Sequence, residues 1–521
     1  MEVSDEKLPP LPPPELSRVQ IILPGPKQTI SETAAHLAEL MARRDYFRRA
    51  GDVVRVIDGP RGPTLEPLGV QLFRSEAEAW GDLVRWGEQR RGSEDSPRMV
   101  PCRMSVDDAN ALLVAVCRRL PAIRTMVRFP PLQADGSVQL SRYDPESGLF
   151  CTGPTEIPDV SVKDAIEWLG HRGLLRDFWF QTPGDASRMM AAILAPALRF
   201  GPWRQSTAPF PLILTEADQS QSGKGFASEM IAVLYGEHLA NVPQQGKGGV
   251  GSFDEKIQGE LLKGRPFVCL DNLRGTINSP VLESFMTARG AFPLRAFFRE
   301  GETDSRAHLL FATSNGVQMT EDLANRSLVV RIKKRPEHYS WHQWPDGGVT
   351  GDLLEHVAVH RSRYIGAIYA VVRVWLDAGM PKSKTGHAFR DVVGALNWLV
   401  TRVFGWPEVL EGHRAIQERQ SNPMLGFLRE FAQAAGPGEY YASGFVDGAE
   451  EHGLALPEAV QKRRDQDGAR QAMGRLLAGV FKARDLVYLD EWTIERVHVP
   501  RGDGGGGFQR AYRFNRAEVG P

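Results

Sequence analysis

Residues 210–235 read FPLILTEADQSQSGKGFASEMIAVLY. Phe210–Glu216 is a mostly apolar run of strand character, and Ala217–Ser222 is polar. Gly223, Lys224 and Gly225 follow, and then Met230, Ile231, Leu234 and Tyr235 recur at helical spacing. Strand, loop, Gly-Lys and helix in that order form the context of a phosphate-binding loop. Backbone N–H groups along Asp218, Gln219, Ser220, Gln221, Ser222, Gly223, Lys224, Gly225 and Phe226 would converge on an anion at the helix N-terminus. Lys224 would then reach the β- and γ-phosphates of a nucleotide. The match to G-x-x-x-x-G-K-[ST] is incomplete. Asp218 stands where the first glycine belongs, and Gly225 where the Mg²⁺-binding hydroxyl belongs.

The flanking segments strengthen this reading. RPFVCLDN (265–272) is an apolar run ending in Asp271, the form of a metal-holding acid at the C-terminal tip of a buried parallel strand. HLLFAT (308–313) predicts another strand, with Asn315 just past its tip, where it would orient an attacking water and touch the γ-phosphate. EDLANRSLVVRI (321–332) places Arg326 before a strand over 327–332. An arginine there would reach a neighbouring subunit's γ-phosphate or form a surface ion pair. The order and spacing of the four features predict an α/β fold with an additional-strand, AAA+-type P-loop NTPase core on a parallel sheet.

On these residues the chain resembles superfamily III helicases, and in particular the ATPase half of phage and plasmid primase–helicase proteins. The similarity runs through LDNLRGTINSPVLESFMTARG (270–290), AHLLFATSNGV (307–317), LANRSLVVRI (323–332) and GHAFRDVVGALNWLV (386–400). Upstream, ARRDYFRRAGDVVRV (42–56) and SRYDPESGLF (141–150) look like the region before that ATPase. The resemblance implies ATP and Mg²⁺ as cofactors. Lys224 would hold phosphate, Asp271 the metal, Asn315 would be the polar sensor and Arg326 the arginine acting in trans. Asn272 falls where many relatives carry a second acid, which leaves the general base open. Gly225 leaves water as the substitute ligand to Mg²⁺.

The family also implies a hairpin between Asp271 and Asn315 that grips DNA in a central channel. Arg289, Arg295, Arg299 and Arg306 lie in that stretch, interleaved with Phe292, Phe297 and Phe298. Arginines with aromatics suit phosphate contacts and base stacking on a single strand. Solvated arginines on a packed hairpin, or packing between subunits, are the alternatives.

Around this core the chain divides into a proline-rich tail (1–18), an α/β N-terminal domain (19–155) and the ATPase core with its preceding helices (156–340). A helical segment and linker (341–424) and a C-terminal unit (425–521) follow. The last shows helices, a strand pair and the glycine-rich stretch 501–507, the pattern of a winged helix. Arg470, Arg475, Lys482 and Arg501 would contact DNA there, with Lys462, Arg463, Arg464 and Arg484 nearby. Winged helices also bind proteins, and basic helices are often merely solvated.

Composition bounds the rest. The 521 residues would make roughly three or four domains. The 63 Lys+Arg against 64 Asp+Glu exclude a polybasic coat protein without excluding local basic faces. Cys102, Cys117, Cys151 and Cys269 form no C-x-x-C pair, so no structural zinc site is expected. No apolar run reads as a signal peptide or membrane span, and a cytoplasmic location without membrane partners is expected. The expected function is an ATP-dependent DNA helicase or translocase of mobile-element replication, acting as a homo-oligomeric ring, a hexamer, on single-stranded or forked DNA. A separate primase or initiator would supply priming. The alternative is an ATP-binding assembly or defence platform on DNA with weak or no hydrolysis.

Overall fold

The computed structural model describes residues 19–516 apart from 61, 88–97, 140–141, 155, 218, 220–221, 245–250, 297–298, 343–351, 464, 483–484, 490 and 501–507. The expected tail and the calls on Asp218, Ser220, Gln221, Phe297, Phe298, Arg464, Arg484 and Arg501 lie outside the described residues.

At its centre is a five-stranded parallel sheet. Its strands are β1 (Leu212–Ala217), β2 (Ala240–Pro243), β3 (Phe267–Leu273), β4 (Leu309–Ser314) and β5 (Ser327–Ile332). The spatial order is β2-β3-β4-β1-β5, so β4 lies between β1, which leads into the expected phosphate loop, and β3, which carries Asp271. All five strands run parallel, and their mostly buried apolar residues fit a sheet covered on both faces. This arrangement is consistent with a P-loop NTPase-like core.

One face of the sheet packs on the helix Pro183–Phe200, which is buried on all sides. Thr182 caps it through a reciprocal capping box with Asp185, and Pro183 occupies the first turn, where its missing N–H costs nothing. Two of its buried charges have work to do at the sheet edge. Arg188, fully buried, donates to the carbonyls of Val329 (2.6 Å), Val409 (2.9 Å) and Glu411 (2.9 Å) and pairs with Asp185 at 2.6 Å. Asp185 also accepts from the backbone N–H of Arg331 at 2.9 Å. The edge strand β5 is further covered by His413, whose Nε2 accepts from the Val329 N–H at 3.0 Å. Strand edges need such partners, because unpaired backbone groups there would invite foreign strands.

Two sequence expectations change here. Of the helices expected before the core, Val162–Leu169 and Pro183–Phe200 are present, and between them Phe180 instead bridges Ile332 in antiparallel fashion beside β5. The end of the segment 341–424 was expected to be a linker, yet His413–Ser421 is a helix that seats Ile416 in the core under the sheet. Apart from Ile416 and the neighbouring Ala415 that helix is polar, so no apolar stripe announces it.

The N-terminal region builds three small sheets. Tyr46–Arg49, Asp52–Gly59 and Gly62–Pro67 form one of them, antiparallel throughout. Its buried Arg49 donates to Leu261 O (3.0 Å) and to Thr303 Oγ1 (3.1 Å), which ties this sheet to the central region. The C-terminal unit has its own core, built from helices Pro423–Ala435, Ala442–Glu451 and Gln466–Val480 against a four-stranded antiparallel sheet. Among the described residues, no helix is long and apolar enough to cross a membrane.

Arg188→Met keeps much of the volume and strands Asp185 and three carbonyls. Urea unfolding is expected to show a loss of about 3–5 kcal/mol, and a loss below about 1 kcal/mol would contradict the role assigned to this pair. A second expectation concerns pH. Burial pulls His387 down to about 4, and burial with Arg188 nearby pulls His413 well below its ordinary value. Unfolded histidines titrate near ~6.5. Below that pH the unfolded chain takes up protons that the folded chain refuses. Stability present above pH ~6.5 is therefore lost as pH falls toward 4, by about 1.4 kcal/mol per pH unit per histidine. Melting temperatures from pH 7 to 5 should fall, and His387→Gln should flatten the slope; a slope unchanged by the substitution would refute the assignment.

Candidate functional site

The loop expected to bind phosphate leaves β1 at Ala217 and enters the helix Lys224–Leu234. Gly223 caps that helix with φ +88°, a left-handed conformation in which a side chain would be strained. Gly225, by contrast, has open space where a Cβ would stand, so packing does not require glycine there. Ser222 donates its hydroxyl to the carbonyl of Gln219 at 2.9 Å and tightens the loop.

Three of the expected residues meet at the C-terminal edge of the sheet. The Lys224 ammonium donates to Oδ1 of Asn315, which sits just past β4. Burial lowers the Lys224 pKa, Asp271 opposes that shift, and Arg274 adds to it. Asp271 is half-buried at the end of β3, where the register with β4 shifts between Leu270 and Leu273. Asn272 takes a left-handed φ of +55° at this bulge, and its side chain is exposed.

Thr313 fixes the bulge, a role the sequence reading missed. Its buried hydroxyl donates to Oδ1 of Asp271 at 2.7 Å and accepts from the Asn272 N–H at 2.7 Å. One carboxylate oxygen of Asp271 is thereby held. A polar cavity of about 290 Å³ adjoins it, lined among others by Gly225, Glu229, Asp271 and Thr313. Oxygen donors of this kind suit Mg²⁺, which binds through few carboxylates and keeps several waters. The donor set therefore fits the metal, with Asp271 as the holding residue and open room beside Gly225.

On the other side of the loop lies a cleft of about 490 Å³ whose wall is aromatic and basic. Phe178, Trp179, Phe226 and Trp341 line it with Lys333 and Arg335, and Ser222 and Gly223 open it toward the loop. Arg335 lies 5.6 Å from the Trp179 ring centroid and 4.2 Å from that of Tyr339. Local sequence gives Phe178–Phe180 no such role; their place beside the loop follows from the extra pairing with β5.

Arg326 is held within its own chain. It donates to the carbonyl of Glu283 at 3.1 Å and to Asp322 at 3.0 Å, and its side chain is 19% exposed.

The expected DNA-contacting residues separate into groups. Ala291–Ala296 and Arg299–Asp304 do form an antiparallel hairpin. Arg295 and Arg299 lie exposed on it, with Arg295 facing Glu300 (3.5 Å) and Arg299 facing Asp52 (3.2 Å) of the N-terminal region. Arg289 is exposed just before it. Arg306 sits at its base, where it grips both oxygens of Asp304 at 2.7–3.1 Å, beside Arg124. Phe292 packs edge-on against Phe285 with centroids 5.4 Å apart. In the C-terminal unit, Arg475 and Lys482 are exposed, and Arg470 pairs with Asp447 at 3.2 Å.

No protein-family model matches this chain, and no curated protein matches it in sequence. Two solved structures show slight similarity to it. One is described as "SCCmec type IV Cch - active helicase"; it is 8% identical, with 90% of this chain and 92% of that chain covered and a TM-score of 0.34. The JCV helicase is 11% identical over 51% of this chain and 72% of its own, with a TM-score of 0.20.

Thr313→Val keeps the shape and removes the hydroxyl that serves both Asp271 and the Asn272 N–H. Urea unfolding is expected to show a cost of about 1–3 kcal/mol. A cost under about 0.5 kcal/mol would mean that the bulge does not depend on this hydroxyl.

Proposed function

We propose that this chain is an ATP-hydrolysing DNA translocase or helicase of the AAA+ type, related to superfamily III, that serves replication of a mobile element. The observation that carries this reading is the meeting of Lys224, Asn315 and the Thr313-held Asp271 at the C-terminal edge of a parallel sheet with an added strand. Ligands of α/β sheets bind at that edge.

In this reading Lys224 and the loop N–H groups hold the β- and γ-phosphates. Asp271 holds Mg²⁺, which when bound would neutralise charge developing on the transferred phosphoryl group. Thr313 keeps one oxygen of Asp271 occupied, so the carboxylate presents the other. Asn315 releases Lys224 to the phosphate and orients the attacking water. The aromatic cleft at Phe178, Trp179, Phe226 and Trp341 takes the base, by stacking and exclusion of water. Arg326 would leave Asp322 for a neighbouring subunit's nucleotide, which requires a ring, with six subunits as the proposed count. The exposed Arg289, Arg295 and Arg299 would track single-stranded phosphate in the channel. The C-terminal unit, as a winged helix, would add Arg470, Arg475, Lys482 and Arg501 to duplex or forked DNA. The same boundaries are proposed for the domains: 19–155, 156–340, 341–424 and 425–521.

A second reading is an ATP-bound platform on DNA that hydrolyses slowly or not at all. It is favoured by the absence of a hydroxyl at Gly225, of a second acid at Asn272, and by the internal pairing of Arg326.

DNA-stimulated ATP hydrolysis separates the two. The wild type is expected to hydrolyse ATP at least tenfold faster than Lys224→Ala, with single-stranded DNA raising the rate further, and Asp271→Asn should abolish hydrolysis. No hydrolysis above the Lys224→Ala background would sink the helicase reading and leave the platform.

A further inference from the structure

Between the N-terminal region and the hairpin Ala291–Asp304 lies a pocket of about 260 Å³ that the nucleotide site does not use. Six ionisable side chains line it: Arg49, Asp52, Lys263, Arg265, Arg299 and Glu300.

The wall carries an excess of positive charge. Arg49 is 8% exposed, and burial lowers its pKa only to about 10, so it is charged at neutral pH. Its donors go to the carbonyls of Arg124, Leu261 and Leu262 and to Oγ1 of Thr303, all of them neutral groups. Arg265 is half-buried and donates to Oγ1 of Thr64 at 3.3 Å. Among the described residues neither arginine has a carboxylate partner. Cations withdrawn from water are normally paired. The other four lining groups are matched. Lys263 meets Glu260 at 2.6 Å, Glu300 faces Arg295 at 3.5 Å, and Arg299 faces Asp52 at 3.2 Å. Two cations are left over, and the group that would balance them is an anion.

The resting place of Arg299 gives the direction from which that anion comes. Arg299 is 62% exposed and Asp52 54%, and an exposed pair is a weak hold on a long side chain. Asp52 is brought there by a turn pressed onto the hairpin. Ala50 and Gly51 join the strands Tyr46–Arg49 and Asp52–Gly59 with φ +52° and +87°, the two-residue turn that suits twisted strands. An alanine is strained in that conformation. Gly301 makes room for it, since a Cβ at 301 would stand 3.1 Å from the Ala50 carbonyl oxygen. Arg49 on Thr303, Ala50 on Gly301 and Asp52 on Arg299 follow one hairpin strand in order. The turn thus sets a carboxylate, an anion like phosphate, before an arginine assigned above to DNA. Beside it Val54 and Leu65 offer apolar surface on which a sugar can pack.

We propose that this pocket binds one backbone phosphate of the single-stranded DNA held by the hairpin, with Arg49 and Arg265 supplying the balancing charge and Arg299 turning from Asp52 to the strand. The N-terminal region is then one wall of the DNA track, and Asp52 is the resting counter-ion of Arg299. The proposal rests on the DNA reading of the hairpin given above.

Fluorescence anisotropy of the full chain with a labelled oligothymidylate, across a salt series, tests this. Arg265→Gln is expected to weaken binding about threefold or more and to flatten the slope of log affinity against log salt by about 0.7, the loss of one phosphate contact. Arg265→Lys keeps the charge and should keep the slope. Asp52→Asn is expected to strengthen binding about two- to fivefold, which damage to the fold would not do. In an Arg299→Gln background that gain should vanish; a gain of the same size there is a general field effect and overturns the exchange. If Arg295→Gln and Arg299→Gln weaken binding while Arg265→Gln keeps affinity and slope, the hairpin reading stands and the pocket proposal falls. If no arginine variant weakens binding, both fall together. Inorganic phosphate that raises the melting temperature of the wild type but not of Arg265→Gln, with DNA binding alike in the two, would assign the pocket to the free ion and overturn the proposal.

Discussion

The pair Asp185–Arg188 is the constraint on which the rest of the molecule depends. A charge pair with no solvent exposure is costly to bury, and it persists only where every polar atom around it is matched. Here the matching atoms come from distant parts of the chain. Asp185 caps its own helix and receives the Arg331 N–H, while Arg188 collects carbonyls of β5 and of the loop before His413. One pair thus fixes the edge strand, the buried helix and the return of the chain after the core. Residues from both sides of the sheet are brought to its C-terminal edge as a consequence.

The site at that edge is built with few side chains. A left-handed glycine turns the loop into its helix, a bulge ends β3, and a threonine on β4 holds the bulge in place. Lys224 rests on Asn315 in this structure, so the two side chains proposed to share the phosphate already stand together. Preorganisation of this kind removes reorganisation cost from the moment of binding. The aromatic cleft adjoins the loop at Ser222 and Gly223, and a further pocket adjoins the end of β1 at Glu216 and Ala217.

Much of this was legible in the sequence because it is local. β1, β3, β4 and β5 each carry a continuous apolar run, and Lys224, Asp271 and Asn315 stand at their tips or just beyond, so strand ends could be read directly. Capping signals are equally local: Thr29 and Glu32, three residues apart, form a reciprocal capping box. What stayed hidden depends on contacts between segments far apart. Thr313 looks like the end of an apolar run until the bulge opposite it is known. Phe178–Phe180 gain meaning only once paired beside β5. His413–Ser421 is too polar to reveal a buried face, since Ile416 is its one large apolar residue and its other inward groups are His413 and Gln420. The arginine segment around 289–306 was read for its cations and aromatics, whereas Asp52, Glu300 and Asp304 stand opposite three of the arginines.

The most direct measurement is an electron-microscopy structure of the chain with ATPγS, Mg²⁺ and single-stranded DNA. The account predicts a ring with triphosphate at Lys224, Asp271 and Asn315, Arg326 released from Asp322 and turned toward the adjoining subunit's nucleotide, and DNA beside the hairpin Ala291–Asp304. A monomer with Arg326 still on Asp322 and no nucleotide at Lys224 would contradict it.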